Sequence, residues 1–246
     1  MAKVFGLTPV KVYGLTPVKV YGISFPPPTD YVKALLHMNG TDASTTFTDE
    51  DGKTWTARGN AQIDTAQKKF GTASGLFDAT GDWIDTPDHA DFSVGSGDFT
   101  IDFWIMLTLW GYKMICGQCD SSASNASMSF VCAINASQKP EMYICSGSSA
   151  YTATSTGTIT PDSTWHHLAF VRDGNTVRIF IDGSAAGTKD VTGVTVNDSS
   201  KNMSIGRAGE YATYCLGGWI DEFRFSKGIA RWTANFTPPS AEYTLD

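Results

Sequence analysis

Hydrophobic and polar residues alternate with a period of two along much of the chain. The clearest example runs from Phe99 to Leu107, where bulky apolar residues occupy every second position. Two further runs, Trp165–Arg172 and Val177–Asp182, are joined by the turn-forming residues Asp173-Gly174-Asn175. Because successive side chains of a strand point to opposite faces, this period predicts β-strands, and the joined pair predicts a hairpin. Both faces carry apolar bulk, so we expect these strands in the middle of a sheet.

The last alternating run begins at Trp219 and ends at Phe225. Strict alternation places Asp221 on one face together with Trp219, Phe223 and Phe225. A carboxylate among aromatic side chains needs hydrogen bonds or a charged partner. We expect a structural tie that holds the strand, with catalysis by Asp221 as the alternative. The expected partners are His166, His167 and Arg231.

Composition agrees with short strands joined by turns. Hydrophobic residues are 41% and charged residues 17% of 246, with 24 Gly, and this length suits a single β-sandwich. The net charge of −7 argues against binding to nucleic acid, because the phosphate backbone requires a cationic surface. The longest apolar stretch, Phe103–Trp110, is too short to span a bilayer. The N-terminus lacks a signal-peptide block, so we expect a soluble protein.

Residues 1–28 are predicted to form an extended arm that precedes a domain of residues 29–246. The arm repeats VFGLTPVK as VYGLTPVK and ends in three prolines, Pro26-Pro27-Pro28, which favour a stiff spacer. An even period keeps equivalent side chains on one face of an extended chain. We expect the arm to add as a strand to another subunit, with packing on its own sandwich as the alternative. The anchoring side chains are Phe5, Leu7, Tyr13, Leu15 and Tyr21.

The five cysteines are an odd number in a chain long enough to have a core. Cys116 and Cys119 have the spacing of half a zinc knuckle, but no second pair with this spacing follows. We therefore expect buried thiols. A disulfide between neighbouring strands in an oxidising medium is the alternative.

Three segments, in this order along the chain, resemble the laminin-G-like, concanavalin A-like jelly rolls. They are Phe70–Leu107, the Trp-His-His hairpin of Ser163–Thr188, and Gly217–Pro239 with its IDEFRFS motif. The resemblance covers about Tyr31 to Tyr243 and is closest to domains of bacteriophage virion proteins. It implies an all-β concanavalin A-like jelly-roll sandwich of two antiparallel sheets, preceded by the extended arm.

The same resemblance implies binding sites for calcium and glycans. Lectin-type sandwiches often hold calcium at one rim, and hard oxygen ligands suit that ion. The candidate calcium ligands are Asp82, Asp85 and Asp88, with solvation of turns as the alternative. The candidate aromatic residues for stacking on a sugar are Trp83, Tyr211 and Tyr214.

The resemblance also implies a non-enzymatic structural protein at the virion surface. We expect a capsid decoration protein whose residues 1–28 bind the major capsid protein or another virion subunit, and whose sandwich meets glycans. A tail or fibre receptor-binding protein and a free carbohydrate-binding module are the alternatives, and a homo-oligomer stays open. A glycan-cleaving enzyme is disfavoured, because the Glu-x-Asp-x-x-Glu pattern of retaining glycosidases on this sandwich is absent.

Overall fold

The computed structural model describes residues 30–119, 124–209 and 214–245. Within these ranges the chain forms sixteen strands and two short 3-10 helices, Ala90–Phe92 and Asn125–Ser127. The strands, β1 to β16 in chain order, are Val32–Leu36, Thr46–Phe47, Trp55–Arg58, Gln62–Asp64, Ser74–Asp78, Trp83–Thr86, Phe99–Leu107, Lys113–Gln118, Phe130–Ile134, Pro140–Ser146, Ser149–Thr154, His166–Asp173, Thr176–Ile181, Ser184–Asp190, Met203–Ile205 and Gly217–Lys227. The predicted anchoring arm lies outside the described residues.

The strands form two antiparallel sheets that pack face to face. The first sheet has the order β14-β13-β12-β7-β16-β5-β4, and β1 also pairs with β16. The second sheet has the order β11-β10-β9-β8-β15-β6-β3-β2. The prediction of an all-β sandwich of two antiparallel sheets is thereby confirmed. None of the described helices is long and apolar enough to cross a membrane.

Strand β7 follows the alternation that predicted it. The inner side chains, buried between the two sheets, are Phe99, Ile101, Phe103, Ile105 and Leu107. Strand β12 lies beside β7 and pairs with β13 through the expected hairpin, whose Gly174 has a φ of 55°. Such a left-handed conformation favours glycine. The turn sequence and the period of two therefore agree with the tertiary structure here.

Strand β16 departs from strict alternation, so the predicted face assignment is wrong. A bulge interrupts its pairing with β7 between Asp221 and Arg224, and Glu222 adopts a φ of 53°. The extra residue reverses the face pattern beyond it. As a result Phe223 and Phe225 enter the core beside Ile220, while Asp221 lies outside that core cluster. The bulge also divides the strand, because its first part pairs with β5 and its second part with β1.

The C-terminal segment, residues 228–245, covers the outer face of the first sheet. Trp232 and Phe236 pack over Phe180 and neighbouring outer residues of β12, and Tyr243 packs with Val32 and Leu35. The Phe236 amide donates to the Gly183 carbonyl at 2.9 Å. A Cβ atom at Gly183 would overlap the carbonyl oxygen of Phe236. The path of the tail therefore requires glycine at position 183, between β13 and β14. We call this region the covered face.

Candidate functional site

The outer face of the second sheet is open where β8, β9 and β10 lie side by side. Side chains of these strands alternate between the core and the outside. Phe130, Cys132 and Ile144 face inward, whereas Met114, Val131 and Tyr143 form a separate outer cluster. Gly117 lies opposite Val131 in the register, and a Cβ there would come 2.6 Å from the Phe130 carbonyl oxygen. We call the outer surface of these three strands the open face.

A cavity of about 240 Å³ lies in the open face. The described residues that line it are Tyr112, Met114, Asn125, Met128, Val131, Tyr143 and Ala150. Most of these side chains are aromatic or apolar, and few polar atoms converge on the space. This combination is typical of small-molecule and sugar sites, although the volume suits a single ring rather than a large ligand.

Two tyrosines, Tyr112 and Tyr143, line the cavity, and a third, Tyr214, packs against Tyr112 beside it. The Tyr112 and Tyr214 rings meet edge to face, with centroids 4.9 Å apart and planes at 71°. Tyr214 is held beside β8, because the Met114 amide donates to its carbonyl at 2.9 Å. Its side chain is nevertheless 39% exposed, and Trp110, two residues before Tyr112, is 65% exposed. Large aromatic side chains at a surface are available to a ligand.

Glu141, two residues before Tyr143 on β10, fixes the position of this tyrosine. Its carboxylate accepts hydrogen bonds from the Tyr143 hydroxyl at 2.6 Å, from Asn135 at 2.8 Å and from Thr154 at 2.9 Å. Burial and the neighbouring Glu141 raise the pKa of Tyr143, and burial raises the pKa of Tyr112. Both tyrosines therefore stay protonated at neutral pH, and the hydrogen bonds fix the position of Tyr143.

Of the three aromatic residues predicted to stack on a sugar, one borders this cavity. Tyr214 contacts Tyr112, as described above, and Tyr211 lies outside the described residues. Trp83 is on β6, which β15 separates from β8. The Arg207 guanidinium lies 3.3 Å from the centroid of the Trp83 ring and covers one of its faces, and the indole N–H donates to Asp85 at 2.8 Å. The structure thus places Trp83 in a separate cation–π contact.

The predicted calcium ligands do not share one binding site. Asp82 is fully buried and accepts from the amides of Asn60 at 2.7 Å and Asp78 at 3.0 Å. Asp85 pairs with Arg58 at 3.2 Å, and Asp88 accepts from Gln118 at 2.7 Å. The structure does not bring these carboxylates together, and calcium binding here stays a prediction. A thermal shift on adding calcium chloride to chelator-treated protein would check it.

A different cluster joins β1, β16 and the tail. Among the described residues, the ligand atoms of His37, Glu222 and Glu242 lie within 4.8 Å of one another. His37 Nδ1 is 2.9 Å from both Glu222 oxygens, and this hydrogen bond raises the pKa of His37. The Tyr243 amide donates to Glu222 at 2.8 Å. These hydrogen bonds tie the end of β1 and the tail to β16, which accounts for the cluster as a structural contact. The spacing of the three residues in the sequence did not indicate the cluster.

The partners expected for Asp221 were wrong. Its carboxylate accepts from the amides of Lys69 at 2.7 Å and Phe70 at 3.0 Å. The loop before β5 thus supplies the hydrogen bonds, because the bulge turns Asp221 toward it. Burial raises the pKa of Asp221 to about 7 despite these two hydrogen bonds.

The three residues predicted as partners of Asp221 bind elsewhere. His166 Nδ1 is 2.8 Å from Asp182, and Arg231 donates to Ser226 at 2.8 Å. His167 is fully buried and lies 3.0 Å from the Tyr243 hydroxyl. Each of them ties together parts of the first sheet and its covering tail.

Sequence reasoning missed a buried ion pair on the covered face. Arg224 donates to both oxygens of Asp102, at 3.0 and 2.9 Å, and His167 Nε2 lies 3.5 Å from the same carboxylate. Burial alone would raise the pKa of Asp102, but the charge of Arg224 and the contact with His167 outweigh it and hold that pKa at about 2. The bulge decides this pairing, because strict alternation would not place Arg224 opposite Asp102.

All five cysteines are buried free thiols in the described structure, as expected from the sequence. Cys116 and Cys132 lie directly opposite each other on β8 and β9. Burial raises the pKa of Cys132 well above its ordinary value, and that of Cys145 to about 11. Such thiols are poor nucleophiles at neutral pH.

The sequence and the fold were compared with known proteins. A family model described as the concanavalin A-like lectin/glucanases superfamily matches residues 77–230. The chain belongs to this superfamily. No curated protein matches the sequence of this superfamily member. The predicted laminin-G-like, concanavalin A-like fold is therefore confirmed, and the phage context stays a prediction.

Solved structures with the same fold include the binding domains of a mosquitocidal protein and a neurotoxin, and one domain of an enzyme. The binding domain of Paraclostridial Mosquitocidal Protein 1 superposes with a TM-score of 0.65 at 12% identity, covering 81% of this chain and 50% of that one. The binding domain of botulinum neurotoxin DC, in complex with SialylT, gives 0.57 at 14% identity and covers 81% and 49%. Domain 4 of the Geobacillus stearothermophilus arabinanase AbnA, in complex with arabinotriose, gives 0.59 at 16% identity and covers 81% and 94%. At these identities the likeness establishes the fold, and the chain spans about half the length of the two toxin domains.

Proposed function

We propose that this superfamily member is a non-enzymatic carbohydrate-binding protein whose glycan site is the cavity in the open face. The observation that carries the proposal is the wall of Tyr112 and Tyr143 in a cavity of about 240 Å³, with the exposed Tyr214 ring packed against Tyr112. Sugar rings present C–H groups on their faces and hydroxyl groups at their edges. Aromatic side chains pack against those faces, and a few polar atoms then orient the hydroxyls.

Two further observations support binding rather than cleavage. The described residues that line the cavity include no carboxylate, whereas glycoside hydrolysis ordinarily uses a pair of them. Glu141, the carboxylate bonded to the lining residue Tyr143, has its oxygens occupied by three protein donors. The arabinanase domain in complex with arabinotriose has the same fold, which adds a carbohydrate-binding precedent for the architecture.

A glycan array tests the proposal. The full chain and a Tyr214→Ala variant are labelled and applied to the same array, with Tyr31→Ala as the matched control. Tyr31 is a half-buried tyrosine beside β1 of the first sheet. We expect Tyr214→Ala to weaken binding at least tenfold, while the control binds like the parent. Binding that survives Tyr214→Ala and Tyr112→Ala unchanged would place the glycan site elsewhere, and release of sugar from a bound glycan would contradict the non-enzymatic assignment.

We further propose that residues 1–28 attach the sandwich to the surface of a bacteriophage particle, as a capsid decoration protein bound to the major capsid protein. The supporting observation is the octad repeat followed by three prolines, a sequence that cannot bury its own apolar side chains in so short a segment. An extended apolar segment of this kind suits strand addition to a neighbouring subunit. Attachment to a tail or fibre, and a free carbohydrate-binding module, are the alternatives.

Co-sedimentation tests this attachment. Full-length protein and a chain beginning at Thr29 are mixed with particles from the source that lack this protein, and both are first checked for folding by circular dichroism. We expect only the full-length chain to sediment. If neither chain sediments while both are folded, the free carbohydrate-binding module replaces the virion protein as the proposal.

A further inference from the structure

The cavity in the open face has an uncharged lining. Of the described residues that line it, none has a charged side chain. The carboxylate of Glu141 accepts a hydrogen bond from the lining residue Tyr143 and is 8% exposed. A ligand near the Tyr143 hydroxyl would therefore lie in the field of this negative charge. No lysine or arginine is among the described lining residues to offset that charge.

The Tyr143 hydroxyl has a defined hydrogen-bond direction. Tyr143 donates its single hydroxyl proton to Glu141 at 2.6 Å, so its oxygen can only accept further bonds. Because Tyr143 lines the cavity, its hydroxyl offers a ligand acceptor lone pairs and no proton.

Asn125 is the amide side chain of the lining. Its nitrogen uses one N–H to donate to the Ser148 carbonyl at 3.1 Å, and its oxygen lies 3.9 Å from the Cys145 thiol, a long contact. The amide therefore keeps acceptor capacity and a second N–H for a neutral hydroxyl group. The polar groups of the described lining residues are all neutral, so none of them supplies a positive charge.

We infer that the cavity selects neutral glycans and discriminates against sialylated, sulfated or uronic acid-containing glycans. This inference rests on the proposed carbohydrate-binding function and names its ligand class. An anionic substituent would need a cation or several donors to offset the loss of its hydration. Here it would meet a lining without positive charge, the acceptor oxygen of Tyr143, and the field of Glu141, which repels it at low dielectric.

The test compares neutral glycans with their acidic counterparts. Matched pairs on the array, such as the T disaccharide and its sialylated form, differ in the acidic group alone. Across the pairs that contain a bound glycan, we expect the neutral member to bind at least tenfold more tightly. A fall in this ratio with rising salt concentration would support an electrostatic origin, because salt screens charge.

Ala150→Lys provides a gain of function. Ala150 is exposed at the rim of the cavity, on β11, so a longer side chain there is tolerated by the fold. The new ammonium group should strengthen binding of the acidic members severalfold and leave the neutral members nearly unchanged. Ala150→Gln is the matched control, since it adds a polar side chain without charge and should change neither class selectively.

The outcomes separate this inference from the function on which it rests. If no glycan binds, the proposed function fails and the inference fails with it. If glycans bind in the cavity but acidic members bind as tightly as their neutral counterparts, or more tightly, the proposed function stands and the neutral-glycan inference is overturned. A neutral preference that Ala150→Lys relieves and Ala150→Gln does not would support both.

Discussion

The covered face of the first sheet and the open face of the second differ in their residues and in their exposure to water. On the covered face, Asp102, Arg224 and His167 are shielded from water by the tail and bind one another. On the open face, Tyr112 and Tyr214 remain partly exposed. Buried charges must be paired to be tolerated, whereas exposed aromatic groups keep apolar area available to a ligand. We therefore propose that the first face contributes stability and the second contributes binding.

The largest expected effect comes from breaking the ion pair on the covered face. Arg224→Met removes the guanidinium that bonds to both oxygens of Asp102, and loss of one partner of a buried pair typically costs about 3–5 kcal/mol. Denaturant unfolding would measure the loss. The double variant Asp102→Leu, Arg224→Met leaves no unpaired charge and should recover most of the stability. Equal losses in the single and double variants would show that packing, rather than the unpaired charge, dominates.

The pH dependence of stability should depend on Asp221. Burial raises its pKa from the ordinary value of 3.8 to about 7 in the folded protein. The folded state then holds the proton to a higher pH than the unfolded state does, so the free energy of unfolding falls as pH rises from about 4 to about 7. The loss is on the order of 3 kcal/mol.

Asp221→Asn isolates this contribution. Asparagine can still accept from the Lys69 and Phe70 amides but does not titrate. Unfolding measured at several pH values between 4 and 8 should therefore give a shallower slope for the variant than for the parent. His37 and His166 also have raised pKa values, through hydrogen bonds to Glu222 and Asp182, and their contributions are common to both proteins. Parallel slopes would contradict the assignment to Asp221.

A matched pair of hydroxyl deletions sharpens the comparison of the two faces. Tyr143→Phe removes an acceptor from the open face, and Tyr243→Phe removes the hydroxyl that bonds to His167 on the covered face. We expect Tyr143→Phe to weaken glycan binding about fivefold, or about 1 kcal/mol. Tyr243→Phe should lower the free energy of unfolding by about 1 kcal/mol and leave glycan affinity unchanged. The same effect on binding from both variants would remove the distinction between the faces.

Removing residues 1–28 should have the smallest effect on the stability and the glycan affinity of the sandwich. If the arm binds another subunit, the isolated sandwich should unfold at the same denaturant concentration with or without it. If instead the arm packs on the open face of its own domain, truncation would lower stability and strengthen glycan binding. Comparing unfolding and glycan affinity of the chain beginning at Thr29 with the full chain distinguishes these outcomes.

Local pattern accounts for much of the fold but little of the site. The alternation in Phe99–Leu107 predicted which side chains enter the core, because a regular strand has a fixed period. The same rule failed in β16, where one extra residue at Glu222 reverses the faces. No sequence pattern indicated the cavity in the open face. Its residues come from four strands, β8 to β11, together with a 3-10 helix and adjoining loops, and their meeting depends on strand order.

The sequence by itself determined the class of fold, the hairpin Trp165–Asp182 and the burial of the cysteines, because these depend on period, turn residues and apolar content. Only the tertiary structure decided the partners of Asp221, the pairing of Asp102 with Arg224, and the grouping of tyrosines on the open face. Those contacts join residues that are distant in the chain, so they follow from the register of neighbouring strands and the path of the tail. A register shift of one residue exchanges the two faces of a strand, which is why a site built across strands cannot be read from any one of them.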